Sequence, residues 1–242
     1  MTVKFTVEGS IDPLLHAHLD RGDTLYCESG AMVAMDQALY LIGKTRGGVM
    51  NAVGRKLLND ESFFQQKIEA KFDPGEVLMA PTLQGDVKVL DIGPAKYAIS
   101  DGCYLANTED VEVTTGTQGI GKALFARTGS GLKGFFILHA RGRGQVCVSG
   151  FGALRVLQVT PDKPLLIDNG HLVAWDESLD YEVALSTAHK GFIGTMVESV
   201  VSGEGIVLRF QGTGSVIVCS RNRKDFCEWV AANLPREYQP SK

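Results

Sequence analysis

Residues 25–41 read LYCESGAMVAMDQALYL, and the same outline returns as YAISDGCYLANTEDVEV at 97–113 and LLIDNGHLVAWDESLDY at 165–181. The three stretches align without gaps. Gly30, Gly102 and Gly170 coincide, as do Ala34, Ala106 and Ala174. Two alternating apolar positions precede each glycine: Leu25, Tyr97 and Leu165, then Cys27, Ile99 and Ile167. Beyond the turn, Leu39, Val111 and Leu179 match. Period-two alternation on both sides of a glycine turn predicts a half-buried hairpin in each copy.

A second element also repeats. FFILHARGRGQVCVSG (135–150) lies over IVLRFQGTGSVIVCS (206–220) at a constant offset of 70, Phe136 falling on Ile206. FFQQKIEAKFDPGEVLMAP (63–81) has the same shape with a longer turn at Pro74 and Gly75. These too read as hairpins, with glycines supplying backbone angles that a β-carbon hinders. Between the paired elements stand GGVMNAVGRKLL (47–58), GIGKALFART (119–128) and GFIGTMVESVV (191–201), which read as glycine-rich bridges into short connector helices.

The outline is therefore three units, approximately 1–80, 81–150 and 151–220. A unit of that size is marginal for burying its own core. The expectation is one all-β domain over 1–242, a pseudo-threefold β-sandwich with sheets packed around a common interior. RKDFCEWVAANLP (223–235) changes the pattern, placing Phe226, Trp229 and Val230 at helical spacing before Pro235. It predicts a closing helix over approximately 223–234 that covers apolar sheet surface.

The middle bridge contains GTQGIGKA (116–123), whose Gly116, Gly121 and Lys122 imitate a phosphate-binding loop. Such a loop needs a hydroxyl after the lysine for magnesium and a substantial helix whose free N–H groups face the phosphates. Ala123 takes the hydroxyl position, and Gly129 and Gly131 cut the helix short. The third copy has Thr195 after Gly194, with no lysine. The glycines belong to the fold.

The net charge of −4, with 44% hydrophobic and 21% charged residues, describes an ordinary globular composition and argues against a coat of nucleic acid. Five cysteines without C-x-x-C spacing, most of them in apolar runs, fit a reducing compartment. MTVKFTVEGS has neither the basic region nor the apolar stretch of a secretory signal, and no run is long enough to span a bilayer. The expected location is the cytoplasm.

ESGAMVAMD (28–36), TTGTQGIGKALF (114–125) and GHLVAWD (170–176), in that order, resemble the altered-inheritance-of-mitochondria, or mitochondrial-biogenesis, family. The resemblance covers essentially residues 1–220. It implies a β fold similar to the trp RNA-binding attenuation protein, a compact relative of the double-stranded β-helix. It also allows trimers that give a ring-like pseudo-ninefold arrangement. The fungal relative is associated with the mitochondrial inner membrane. This chain, without a transit peptide, resembles the bacterial members, and the family supplies no catalytic residues to carry over.

Few residues suggest chemistry. His16 and His18 share one face of a strand at a spacing metals use, but no Cys, Glu or third His joins them in the sequence, and no metal is assigned. Carboxylates recur at turn positions, Asp36, Glu109 and Asp110, Asp176 and Glu177, where backbone capping accounts for them. No G-x-S-x-G elbow is present. Basic clusters RGRG (141–144) and RNRK (221–224) make Arg141, Arg143, Arg221 and Arg223 the candidates for an anionic ligand.

The sequence thus points first to a non-enzymatic assembly or scaffold protein, a homo-oligomer with a trimer favoured, with protein partners and no cofactor. Its alternative is a binding module for RNA or anionic lipid. An enzyme of unknown type ranks third.

Overall fold

The computed structural model describes residues 3–45, 64–116, 137–183 and 207–234. Within them the chain forms antiparallel sheets and one C-terminal helix, the all-β class expected. The three connector segments and nearly all of GTQGIGKA lie outside the described residues.

In chain order the strands begin with β1 (Lys4–Glu8), β2 (Leu14–Leu19), β3 (Thr24–Glu28), β4 (Met32–Met35), β5 (Tyr40–Thr45), β6 (Phe64–Glu69) and β7 (Gly75–Met79). There follow β8 (Gly85–Ile92), β9 (Tyr97–Ser100), β10 (Tyr104–Thr108), β11 (Val111–Gly116), β12 (Ile137–Gly142) and β13 (Gly144–Phe151). The last are β14 (Leu154–Val159), β15 (Leu165–Asp168), β16 (Leu172–Asp176), β17 (Asp180–Val183), β18 (Val207–Gln211) and β19 (Gly214–Cys219). Helix α1 (Arg223–Asn233) ends the described chain.

Alternation located the strands correctly but not their partners. The glycine turns at Gly30 and Gly102, with φ of +86° and +71°, do not close hairpins. Each turn closes on a backbone hydrogen bond, Ala31 N–H to Glu28 O and Cys103 N–H to Ser100 O, both 3.1 Å. The chain then crosses to another sheet: β3 pairs with β6 and β10, whereas β4 pairs with β7. The same holds for β12 and β13 and for β18 and β19, which lie in different sheets. Period two says that a segment is pleated and half buried, and a sandwich corner satisfies that as well as a hairpin does.

Four sheets result, in the strand orders β1-β2-β7-β4, β5-β6-β3-β10-β13-β8, β11-β12-β9-β16-β19-β14 and β15-β18-β17. The third order is the second with every strand number raised by six. The interior is not the single common core expected. Three apolar clusters form instead, between the first and second sheets, the second and third, and the third and fourth. The second and third sheets therefore carry a core on each face, while the first and fourth contribute to one core each.

Two strand pairs splice the sheets together. β10 lies on β3 with Ala106 opposite Cys27 and Asn107 opposite Tyr26. β16 lies on β9 with Ala174 opposite Ile99 and Trp175 opposite Ala98. The first seam is sealed by a buried polar network. Gln65 Nε2 donates to the Tyr104 hydroxyl (2.7 Å) and to Asn107 Oδ1 (3.0 Å), and the Tyr104 hydroxyl donates to the same Oδ1 (2.6 Å). At the corresponding places of the second seam stand Ile137, Leu172 and Trp175, all buried and apolar.

Trp175 anchors the third cluster, edge-on to Tyr181 and Phe210 at ring separations of 5.4 and 5.9 Å. Truncating a fully buried indole removes both transfer free energy and packing. Trp175→Ala is expected to cost about 3–5 kcal/mol of unfolding free energy. Denaturant titration followed by circular dichroism checks it, and a loss below about 1 kcal/mol contradicts this account of the core.

Candidate functional site

The four candidate arginines are exposed, and they do not form one surface. Arg141 is the next-to-last residue of β12, beside the β10–β11 turn, and Arg143 N–H donates to Asp110 O across the same turn at 3.2 Å. Arg223 opens α1 at the opposite end of β10, its Nη2 3.9 Å from Asp101 Oδ2. The five residues of β10 separate the two pairs, roughly 15 Å at strand rise.

Arg141 is also committed to a partner. Its Nε and Nη2 donate to Glu177 Oε2 at 3.1 and 2.9 Å, and the other carboxylate oxygen of Glu177 bonds His139 Nδ1. Glu177 sits in the β16–β17 turn while His139 and Arg141 stand on β12, so this trio, largely buried at His139 and Glu177 and open to solvent at Arg141, ties β12 to that turn. The sequence shows Glu177 only as a turn carboxylate. Its neighbour Asp176 and the earlier Asp36 do cap backbone, accepting from Ser178 N–H and Glu76 N–H at 2.9 Å each.

Arg221 is differently placed. Its guanidinium lies over the Phe151 ring, 5.6 Å from the centroid. It borders a surface hollow of about 320 Å³ whose other walls include Ile11, Asp12, Asp86 and Phe151. Two carboxylates in the same hollow offset the attraction of Arg221 for an anion.

The histidine pair gains neighbours that spacing could not show. Glu8 on β1 comes within 2.8 Å of His16 Nδ1, and Glu76 on β7 reaches His16 Nε2 at 3.5 Å and His18 Nδ1 at 3.6 Å. Register explains the meeting, because Glu76 is the cross-strand partner of His18. Among the described residues no group of three or more His, Cys, Asp or Glu side chains is arranged to hold a metal ion.

Helix α1 departs from expectation. Asn222 caps it, accepting from Lys224 N–H at 2.9 Å. None of its residues is buried. Phe226 touches Phe151 edge-on at 5.1 Å, but Trp229 is 63% exposed, so the helix does not cover the sheet surface as its spacing predicted. No helix among the described residues is long and apolar enough to cross a membrane.

The most unusual surface lies at two sheet edges. Val33 on β4 is 56% exposed and Leu166 on β15 is 65% exposed. At the six-strand shift, Leu105 and Val173 correspond to Val33, and Ala98 and Tyr26 to Leu166; Leu105, Val173 and Ala98 are completely buried and Tyr26 is half-buried. β4 and β15 are the terminal strands of their sheets, whereas β10, β16, β3 and β9 are interior.

A family model described as Mitochondrial biogenesis AIM24 matches residues 5–221. The chain belongs to that family. It is 30% identical over 241 residues to an uncharacterised protein of Streptococcus pyogenes serotype M6, covering 96% of this chain and 92% of that one. An X-ray crystal structure of a Streptococcus pyogenes protein superposes with a TM-score of 0.75 at 27% identity, covering 96% of this chain and 100% of that one. The similarity reaches across all four sheets.

Near Arg223 a charge cluster yields a pH prediction. Burial pushes the Glu28 carboxyl above its ordinary value, the Asp101 carboxylate adds to the rise, and the Arg223 guanidinium opposes it. A carboxyl raised on folding costs nothing at acid pH, where both states are protonated. The cost appears as pH climbs past the ordinary glutamate value and is complete above the raised one. Glu28→Gln is expected to be more stable than the parent at about pH 7, with the difference vanishing near about pH 4. Denaturant midpoints at both pH values check the sign.

Proposed function

We propose that this member of the AIM24 family is a non-enzymatic assembly protein that works as a homo-oligomer, a trimer being favoured. One observation carries the reading: two strands that end their sheets expose Val33 and Leu166, whereas the matching residues of β10, β16 and β9 are completely buried. An edge left in that state is a template for another strand and a liability to a monomer. The reading places three units, 1–80, 81–150 and 151–220, in a single domain of the attenuation-protein-like β class. It locates the protein in the cytoplasm, in keeping with five unpaired cysteines.

Thiol chemistry supports a structural role for those cysteines. Burial pushes Cys27 and Cys103 up to about 12 and Cys147 higher still. Reactive thiols need the opposite shift. Only Cys227 is exposed. A thiol reagent is expected to label one site in the native protein and five after denaturation, and rapid labelling of a second native site contradicts the assignment.

A second reading, a binding module for RNA or anionic lipid, rests on Arg221, the candidate arginine that lines a hollow beside an aromatic ring. Arg143 and Arg223 would add charge from the turns, and Arg141 the least, being held by Glu177.

Size exclusion with light scattering, across a micromolar concentration series, separates the readings. A mass that is a multiple of the 26.1 kDa chain with a protein-like ultraviolet spectrum supports assembly. A strict monomer at every concentration removes it. Excess absorbance at 260 nm that high salt strips away favours the second reading. In that case, replacing Arg141, Arg143, Arg221 and Arg223 by alanine is expected to abolish nucleic-acid retention, and undiminished retention excludes them.

A further inference from the structure

We propose that the hollow beside Arg221 binds a small aminocarboxylate, a free amino acid or short peptide whose ammonium meets Asp12 and whose carboxylate meets Arg221. This goes beyond the assembly reading and does not depend on it. It also gives the hollow a different occupant from the polyanion of the second reading.

One wall is the turn between β1 and β2, whose pairing runs from Lys4 opposite His18 to Glu8 opposite Leu14. Within that turn Gly9 has a φ of +96° and Asp12 one of +47°. Asp12 is the one non-glycine residue with positive φ among the described residues. Few side chains accept that region, and aspartate is one of those that do. Pro13 follows directly and is buried, so the turn is anchored where Asp12 leaves it. Asp12 therefore lines the hollow from a fixed backbone position. Ile11 lines it too and is 85% exposed, more than any other large apolar residue described. An isoleucine left to water at the rim of a cavity gains from whatever covers it.

The opposite wall is equally set. Arg221 N–H donates to Phe151 O at 3.1 Å, and Ser220 N–H donates to Ala153 O at 2.9 Å. Ala153 N–H returns the tie to the Ser220 hydroxyl, also at 2.9 Å. The Arg221 guanidinium rests over the Phe151 ring, which Phe226 meets edge-on. A cation placed before the ligand arrives loses little freedom on binding.

The floor between the walls carries no side chain at two places. Gly85 and Gly152 meet in an isolated bridge, with Asp86 N–H donating to Gly152 O at 2.8 Å and Gly152 N–H to Gln84 O at 3.0 Å. A β-carbon on Gly85 would collide with Gly150 O, and one on Gly152 with the Ser220 hydroxyl. The fold requires both glycines, and the bare floor follows from them. The space left is about 320 Å³. That is the small end of the range for small-molecule sites, about 300–1,000 Å³, and suits an amino acid or dipeptide.

Charge selects the class of ligand. Asp86 is already engaged, its Oδ1 accepting from Val87 N–H at 2.9 Å and its Oδ2 from Leu154 N–H at 3.4 Å. Among the described residues no ion pair joins Arg221 to Asp12 or to Asp86, so opposite charges line one hollow without neutralising each other. A plain anion is drawn by Arg221 and repelled by the carboxylates, and a plain cation meets the reverse. A molecule with one charge of each sign is attracted by both walls.

The test is titration of the full chain with L-leucine and with L-leucyl-L-leucine, by calorimetry and saturation-transfer NMR. Saturable binding of at least one is expected, with a dissociation constant of about 1 mM or tighter. The two probes differ in the spacing of ammonium and carboxylate, so the better one reports the span between the walls. The same molecules lacking either the ammonium or the carboxylate are expected to bind at least ~tenfold more weakly. Asp12→Asn keeps a side chain that accepts positive φ and removes only the charge. It is expected to weaken the probe at least ~tenfold while leaving the des-amino analogue and the thermal midpoint unchanged. Arg221→Gln is expected to do the converse, weakening the probe and sparing the analogue without a carboxylate. A variant that merely loosened the fold would weaken every ligand alike.

Absence of saturation by either probe up to about 10 mM overturns the proposal. A des-amino analogue that binds the parent as tightly as the probe also overturns it, since that marks an anion site and favours the second reading. Binding indifferent to both substitutions puts the ligand elsewhere and defeats the assignment. The oligomeric mass is read separately, so assembly stands or falls apart from these outcomes.

Discussion

Every strand in a sheet must place two rows of backbone hydrogen-bonding groups, and this chain places them by lending strands forward. β3 is completed by β10, and β9 by β16. Each loan crosses one glycine corner, so the strand that leaves a sheet at the turn becomes the edge that the next sheet extends. The buried faces follow from this bookkeeping of edges. The second and third sheets, completed on both flanks of their seams, have cores on each face. The outer two have one.

That arrangement explains why the polar residues are so unevenly buried. At the first seam an amide, a phenol and a second amide bond one another at 2.6–3.0 Å in full burial, with Gln65 Oε1 left without a partner. At the second, the same backbone positions hold an indole and two aliphatic chains. The backbone geometry is shared, while the side-chain solutions are not interchangeable. A carboxamide moved alone into the second seam would be an unpaired buried dipole. Distinct fillings give each seam its own identity, which disfavours pairing of the wrong strands among segments whose backbone patterns are nearly alike.

Much of the fold was legible in the sequence, and the reason it was not all legible is physical. The coincident glycines mark corners because Gly30 and Gly102 take positive φ, and the alternation of Leu25 with Cys27, or Tyr97 with Ile99, marks pleated, half-buried segments. Neither signal carries information about which strand lies alongside. Partner choice is decided by what covers the second face, and that is why hairpins were expected where corners stand. Histidines 16 and 18 show the same limit. Their shared face could be read from an i, i+2 spacing, but Glu8 and Glu76 arrive through cross-strand register. In α1 the spacing of Phe226, Trp229 and Val230 gave a helix, yet its apolar stripe meets little more than Phe151.

The candidate site is the part least visible before the strands were ordered. Arginines attract notice in a sequence because charge is conspicuous, and here one is neutralised by Glu177 and the pairs are held apart by the length of β10. MVAM and LLID attract none, since a short apolar strand ordinarily means core. Their meaning depends on position. The same four or five apolar residues are unremarkable in β10 and β16, where a neighbour covers them, and costly in β4, where water does. Among the described strands, the meaning of an apolar run is therefore read from its place in the sheet and not from its composition.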